Sequence, residues 1–410
     1  MMRSLPALLV ALACLAATLP LRAEARETLA ITAARIFTTP GAPVIEDGVV
    51  VVEGDRIVAV GPRASISVPA NARAIDAAGA SVVAGFWNSH IHLTRPVLLT
   101  AAQQTDAALQ NELQADFTRW GFTTVFDLAS TSDIAAEVRN RIASGRVHGP
   151  RLLSVGDPFY PPNATPIYAR EFYEAFGLPS AEITTVTEAA ARADRQLAAG
   201  GDGLKLFTGS IVGGPREVAY MEAEAVRALT DVAHRHHRLA FAHPTDQAGL
   251  EVAVRNGVDV LAHAAPLMGE WSPDYARWVA STGAALIPTL ALYEEAANPR
   301  TPAATAIQQT RAFAGAGGAV LFGTDAGFTD AFDTSAELRL LEQAVGWRGV
   351  LAALTTAPAA RFGESETRGQ VAEGYIADLV IVDGDPRDAI QALAIVRTVI
   401  RDGQVIYTRP

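Results

Sequence analysis

The 410-residue sequence has a single cysteine, Cys14. No intramolecular disulfide can form, so a disulfide-stapled scaffold is excluded. Basic side chains are in deficit, 33 Lys and Arg against 44 Asp and Glu, giving a formal net charge of −11. Such a surface repels phosphate backbones and anionic lipid, so neither nucleic acid nor a membrane surface is an expected partner. No Gly-x-Gly-x-x-Gly follows the first strand of the central region, which counts against an open dinucleotide-binding sheet. Internal repeats and low-complexity segments are missing too. The chain also lacks an apolar run long enough to span a membrane well. Its nearest approach, Leu5 to Leu19, follows Arg3 and precedes Ala23-Glu24-Ala25. That order reads as a signal peptide over residues 1–25, with export to the periplasm or medium. After cleavage the mature chain has no cysteine left to misoxidise.

Half of the residues are hydrophobic and 19% are charged, as in an ordinary globular protein able to bury a large core. Short alternating segments separated by Gly and Pro occupy residues 26–84, and similar ones recur over 366–410. Asp402-Gly403 between the last two is a hairpin turn pair. The two ends are expected to form one small β-sandwich. Between them, over 85–365, the pattern changes. Eight short apolar runs alternate with helical stretches: Phe86 to Leu93, Phe122 to Leu128, Arg151 to Gly156, Gly203 to Thr208, Leu239 to His243, Val258 to Ala264, Ala284 to Leu292 and Ala319 to Asp325. Strands alternating with helices predict an α/β domain with a parallel sheet, and eight such units predict a distorted (β/α)8 TIM barrel.

Catalytic groups of such a barrel sit at the C-terminal strand ends. The first run ends His90-Ile91-His92, and residues two apart on a strand share a face. Lys205 lies in the fourth run, His243 ends the fifth, His263 the sixth and Asp325 the eighth. One such residue at a strand end means little, but their arrival at matching ends points to a metal site. Lys205 sits in the nearly apolar strand Gly203-Leu204-Lys205-Leu206-Phe207, where an isolated ammonium is costly. Two solutions stay open: an ion pair with a carboxylate such as Asp127, or reaction with carbon dioxide to give an anionic carbamate able to bridge two cations. A bound cation would acidify its water and polarise a carbonyl, and Asp325 would move the proton as general acid and base. Asp127 and Thr324 are candidate partners for metal-bound imidazoles. His234, His236 and His237 end a helix and read as surface residues, as does His148 in its turn.

Gly85-Phe86-Trp87-Asn88-Ser89-His90-Ile91-His92, Ala242-His243-Pro244, Ala262-His263, Gly323-Thr324-Asp325 and Gly374-Tyr375-Ile376-Ala377-Asp378-Leu379-Val380 together resemble the motif set of the amidohydrolase superfamily. The branch most similar is the imidazolonepropionase-like and Xaa-Pro dipeptidase-like one. The resemblance implies hydrolysis of an amide or related bond with one or two divalent metals. It implies that His90, His92 and Asp325 bind one ion and that His243 and His263 bind a second. Carbamylated Lys205 would bridge the two, and zinc suits the ligand types. Deaminase and imidazolonepropionase branches resemble His-x-x-Glu at the fifth strand. Here the run is His243-Pro244-Thr245-Asp246, and Asp246 reads as a helix cap. That departure counts against a cyclic-amide hydrolase or a heterocycle deaminase. A catalytically silent binding protein on the same fold would have lost ligands, and none is lost.

The expected partner is a small-molecule substrate, and a homo-oligomer stays open. An N-acyl amino acid or dipeptide is the substrate expectation. Tyr160 and Tyr168 in an aromatic loop would supply apolar surface, and Arg95 or Arg170 would clamp a substrate carboxylate.

Overall fold

The computed structural model describes residues 27–214, 217–295, 303–329 and 332–410. The expected signal peptide lies outside the described residues. Among them, no helix is long and apolar enough to cross a membrane.

Both chain ends enter one seven-stranded sheet. From the N-terminal side come β1 (Thr28–Ile36), β2 (Ile45–Glu53), β3 (Arg56–Pro62) and β4 (Arg73–Ala84). The central part carries β5 (Phe86–Ile91), β6 (Phe122–Asp127), β7 (Arg151–Ser154), β8 (Gly203–Phe207), β9 (Gly209–Ile211), β10 (Val218–Tyr220), β11 (Leu239–His243), β12 (Val260–Leu261) and β13 (Ala285–Leu286). The tail adds β14 (Leu379–Asp383), β15 (Val396–Arg401) and β16 (Gln404–Thr408). The terminal sheet runs β16-β15-β14-β4-β1-β2-β3. It is one continuous hydrogen-bonded sheet where two facing sheets were expected, because the long β4 pairs with β1 on one side and β14 on the other. Strand alternation gives it two apolar faces. Leu29, Ile31, Val50, Leu379 and Ile381 share a core of their own, whereas Val83, Val380, Val382 and Val399 join the central core.

The central region is a mixed α/β unit of the TIM-barrel type. Apart from the antiparallel pair β9-β10, its strands form two parallel sheets, β5-β6-β7 and β13-β12-β11-β8. Helices between them bury one face, as Ala223–Arg235 does with Val226, Leu229, Val232 and Ala233, the spacing of an amphipathic helix. The eighth expected run, Ala319–Asp325, is not a regular strand. It meets its neighbours through the isolated bridges Leu286↔Val320 and Ile91↔Ala326. Its regularity ends where Asp325 takes a positive φ of 59°. The expected run from Ala284 to Leu292 is likewise cut short, since Leu290–Glu295 is helical after Thr289 turns at φ 46°.

Candidate functional site

β5, β8 and β11 are almost wholly buried, and their ends aim polar side chains into one cavity. This cavity of about 400 Å³ is lined by His90, His92, Lys205, His243, His263 and Asp325. All six residues expected from the strand ends are therefore brought together. The rings form a chain: His90 lies 5.1 Å from His92 and 4.7 Å from His263, and His263 lies 4.6 Å from His243. Asp325 Oδ1 stands 3.0 Å from His90 Nε2 and 2.8 Å from His92 Nε2. His90, His263 and Asp325 offer ligand atoms within 4.8 Å of one another, so the tightest trio draws on both of the expected ligand groups. Gly323 makes the close approach of the last run feasible: a Cβ there would lie 2.3 Å from Ile287 Cγ2 and 2.9 Å from His90 Cβ.

Burial pushes the His90 imidazole down to about 3, and Lys205 adds to the effect. Burial also holds His243 and His263 well below the ordinary histidine range, helped by Lys205 and His243 respectively. Neutral imidazoles present the lone pair that a cation needs. Burial lowers the Lys205 amine to about 8 against the pull of Asp325 and Asp127. Burial would raise the Asp325 carboxyl, but His90 and His92 overcome it and keep it well below the carboxylate range. The site thus combines an ionised carboxylate, neutral imidazoles and a reactive amine.

Of the supporting residues, Thr289, Asn88 and Tyr293 escaped the sequence reading; Asp127 and Thr324, expected as partners of imidazoles, are hydrogen-bonded to other side chains instead. Thr289 Oγ1 lies 2.8 Å from His263 Nδ1 and donates to Pro288 O at 2.8 Å. With its one proton so placed, the hydroxyl accepts from His263 Nδ1–H, which leaves Nε2 as the lone-pair nitrogen. Asn88 Nδ2 donates to Thr324 Oγ1 at 2.8 Å, so Thr324 braces the first strand. Asp127 accepts from Ser130 Oγ and Ser154 Oγ, each at 2.6 Å. Tyr293 lines the cavity and donates to Ala264 O at 2.6 Å. One usable signal was present: Lys205 is the sole lysine among the 33 basic residues.

The substrate contacts divide. Tyr168 lines the cavity, 6.5 Å from His243 and 5.1 Å from Phe328 between ring centres. Tyr160 does not reach it; the ring is buried against Phe207 at 4.7 Å and Tyr173 at 5.9 Å. Arg95 is turned away by acidic neighbours and pairs with Glu112 at 2.9 Å. Arg170 donates to the carbonyls of Thr165 and Val212, at 3.2 and 3.1 Å. Neither arginine lines the cavity, so the expected carboxylate clamp is not there. Asp246 caps the helix Gln247–Arg255 by accepting from Gly249 N at 3.1 Å. His234 and His236 pair with Asp259 and Asp194 at the surface.

A strand-end cluster of this kind defines a hydrolase-type site on a TIM-barrel-like frame. Residues 81–407 match the model of the amidohydrolase family, and the chain belongs to that family. A stretch of 162 residues is 32% identical to a 5-methylthioadenosine/S-adenosylhomocysteine deaminase of Symbiobacterium thermophilum, covering 32% of this chain and 35% of that protein. The chain thus spans about a third of that relative's length. A Xaa-Pro dipeptidase with bound methionine superposes with a TM-score of 0.78 at 20% identity, over 93% of this chain and 100% of the other. The A. niger ochratoxinase superposes at 0.76 and 19% identity, over 93% and 96%. At these identities the structural likeness carries the fold.

Proposed function

We propose that this chain is a metal-dependent hydrolase that cleaves the carbon–nitrogen bond of an amide. One observation carries the proposal. His90 is fully buried, its Nδ1 has no hydrogen-bond partner, and its Nε2 faces the Asp325 carboxylate at 3.0 Å. An idle buried imidazole is costly, and a cation taking its lone pair removes the cost. The donor set fits: imidazoles, a carboxylate and an amine whose carbamate is anionic. His90, His92 and Asp325 would hold one divalent ion and His243 and His263 a second, with carbamylated Lys205 between them. In forming the carbamate the amine nitrogen bonds the carbon of carbon dioxide and loses a proton. Zinc suits these ligands. When bound, the ions supply an acidified water and a polarised carbonyl. Asp325 then accepts the proton of the attacking water and delivers it to the leaving nitrogen. Thr289 keeps His263 in one tautomer throughout.

We also read the two parallel sheets and the Ala319–Asp325 run as arcs of one distorted (β/α)8 barrel. Deamination is disfavoured, because the Asp246 carboxylate is taken by Gly249 N and by Tyr220 OH at 2.6 Å. Export through residues 1–25 belongs to the same reading, and fractionation of cells making the tagged chain checks it.

The test is metal analysis with a screen of N-acyl amino acids, dipeptides, lactones and cyclic ureides. About two divalent ions per chain are expected. Lys205→Ala should lose metal and most activity. Because no other lysine exists, exchange with labelled carbon dioxide should give a carbamate signal that vanishes in this variant. Full occupancy and activity in Lys205→Ala would rule the bridge out.

A further inference from the structure

The cavity's walls say more about substrate than its floor does. We propose that it takes a neutral amide with apolar groups on both sides of the scissile bond, and that it discriminates against free carboxylates. The chemistry rests on the hydrolase reading above; the selectivity of binding does not.

Four observations support this. Above the donor set the walls are Ile167, Phe207, Ile211, Leu267, Leu292 and Phe328, apolar surface that gains from excluding water. Among the described residues nine large hydrophobics are exposed, and four of them, Ile167, Tyr168, Leu267 and Phe328, line this one cavity. Apolar exposure gathered at one mouth marks a binding surface for apolar groups. Among the described residues no arginine lines the cavity, and its one cationic side chain, Lys205, is 1% exposed within the donor set at the floor. The two arginines expected to pair with a carboxylate, Arg95 and Arg170, are held by Glu112 and by backbone carbonyls. Finally, the protein's net charge of −11 opposes the approach of an anion. An anionic group lodged against these apolar walls, away from the donor set at the floor, would lose its hydration with no cationic side chain among the described lining residues there to replace it. In the reaction the acyl C–N bond breaks and a C–O bond forms to the water oxygen. One water proton goes to the leaving nitrogen, and a carboxylic acid and an amine are released.

The test compares N-hexanoyl-leucine with N-hexanoyl-isopentylamine, the same molecule without its carboxylate. Binding is read by calorimetry on the purified metal-loaded protein, and turnover separately. The neutral amide should bind at least tenfold tighter and show the higher kcat/KM. Leu267→Arg should move the binding ratio at least tenfold towards the acid. Equal or tighter binding of the acid to the parent protein overturns the proposal, as does failure of the neutral amide to bind at its solubility limit. Selective binding of the neutral amide without hydrolysis of any compound in the wider screen would leave this proposal standing and sink the hydrolase reading instead.

Discussion

Thr289 shows how much a single side chain can carry at this site. It is β-branched, yet its φ of 46° lies in the left-handed region, which costs such a residue about 1–3 kcal/mol. In that conformation its hydroxyl reaches back to His263 across 26 residues of sequence. Thr245 and Asp325, at φ 61° and 59°, share the left-handed conformation, and both line the cavity. Thr289→Val keeps the shape and removes the hydroxyl, freeing His263 to choose either tautomer. Metal affinity should fall about 10- to 100-fold, read by competition with a chelator. An unchanged affinity would mean that the hydroxyl merely fills space. The cavity's donor residues were legible, because they lie in or at the ends of apolar runs in a pattern that chance reproduces poorly. Thr289 was not legible: its role depends on a backbone conformation that no periodicity announces. The arginines misled for a related reason. Arg95 and Arg170 stand near the motif and the aromatic loop in sequence, but their direction is set by Glu112 and by two carbonyls that pattern reading does not place.

At the scale of elements, the first five expected runs match β5, β6, β7, β8 and β11 to within about two residues at each end. Buried parallel strands write themselves as continuous apolar runs. The later runs shrink to β12, β13 and two isolated bridges, since the chain there leaves the strand to build the cavity. The helix Leu290–Glu295 is such a departure, and it carries Leu292 and Tyr293 into the lining. Its first turn is held by Glu337, whose Oε2 accepts from Ala291 N at 2.7 Å while Oε1 has no partner. Burial pushes the Glu337 carboxyl from 4.5 up to about 7. The folded state therefore keeps this proton between roughly pH 4.5 and 7, where the unfolded chain releases it. Stability from this group falls as pH rises through that window, and the whole cost is present above about 7. Glu337→Gln keeps an oxygen for Ala291 N and cannot ionise. It should raise unfolding stability at pH 8 by at most about 3 kcal/mol and change little near pH 4.5. Denaturant titrations at the two pH values check this; an equal shift at both would show that ionisation is not the cause.

Across the whole molecule, the terminal sheet and the central unit are joined too tightly to act as separate bodies. β4 ends at Ala84 and β5 begins at Phe86, with Gly85 alone between them. A side chain at Gly85 would meet Thr123 Oγ1 at 2.2 Å and Asp378 Cβ at 2.9 Å. Asp378 is the knot. Its carbonyl accepts from Gly85 N at 2.7 Å, its Oδ1 from Asp402 N at 2.9 Å, and its Oδ2 from Arg368. Arg368 also pairs with Asp402 at 2.9 Å and with Glu364 at 3.2 Å. Burial pushes the Asp378 carboxyl up, and Arg368 is the counter-charge that opposes this. Arg368→Met would leave a buried carboxylate alone, which costs about 3–5 kcal/mol. Because Val380 and Val382 are part of the central core, the loss should appear in calorimetry as one unfolding transition shifted to lower temperature. Replacing both partners, Arg368→Met with Asp378→Leu, removes the stranded charge and should recover part of the loss. Two resolved transitions in the single variant would show that the sheet can unfold by itself. A double variant no more stable than the single one would show that packing, and not the buried charge, accounts for the cost.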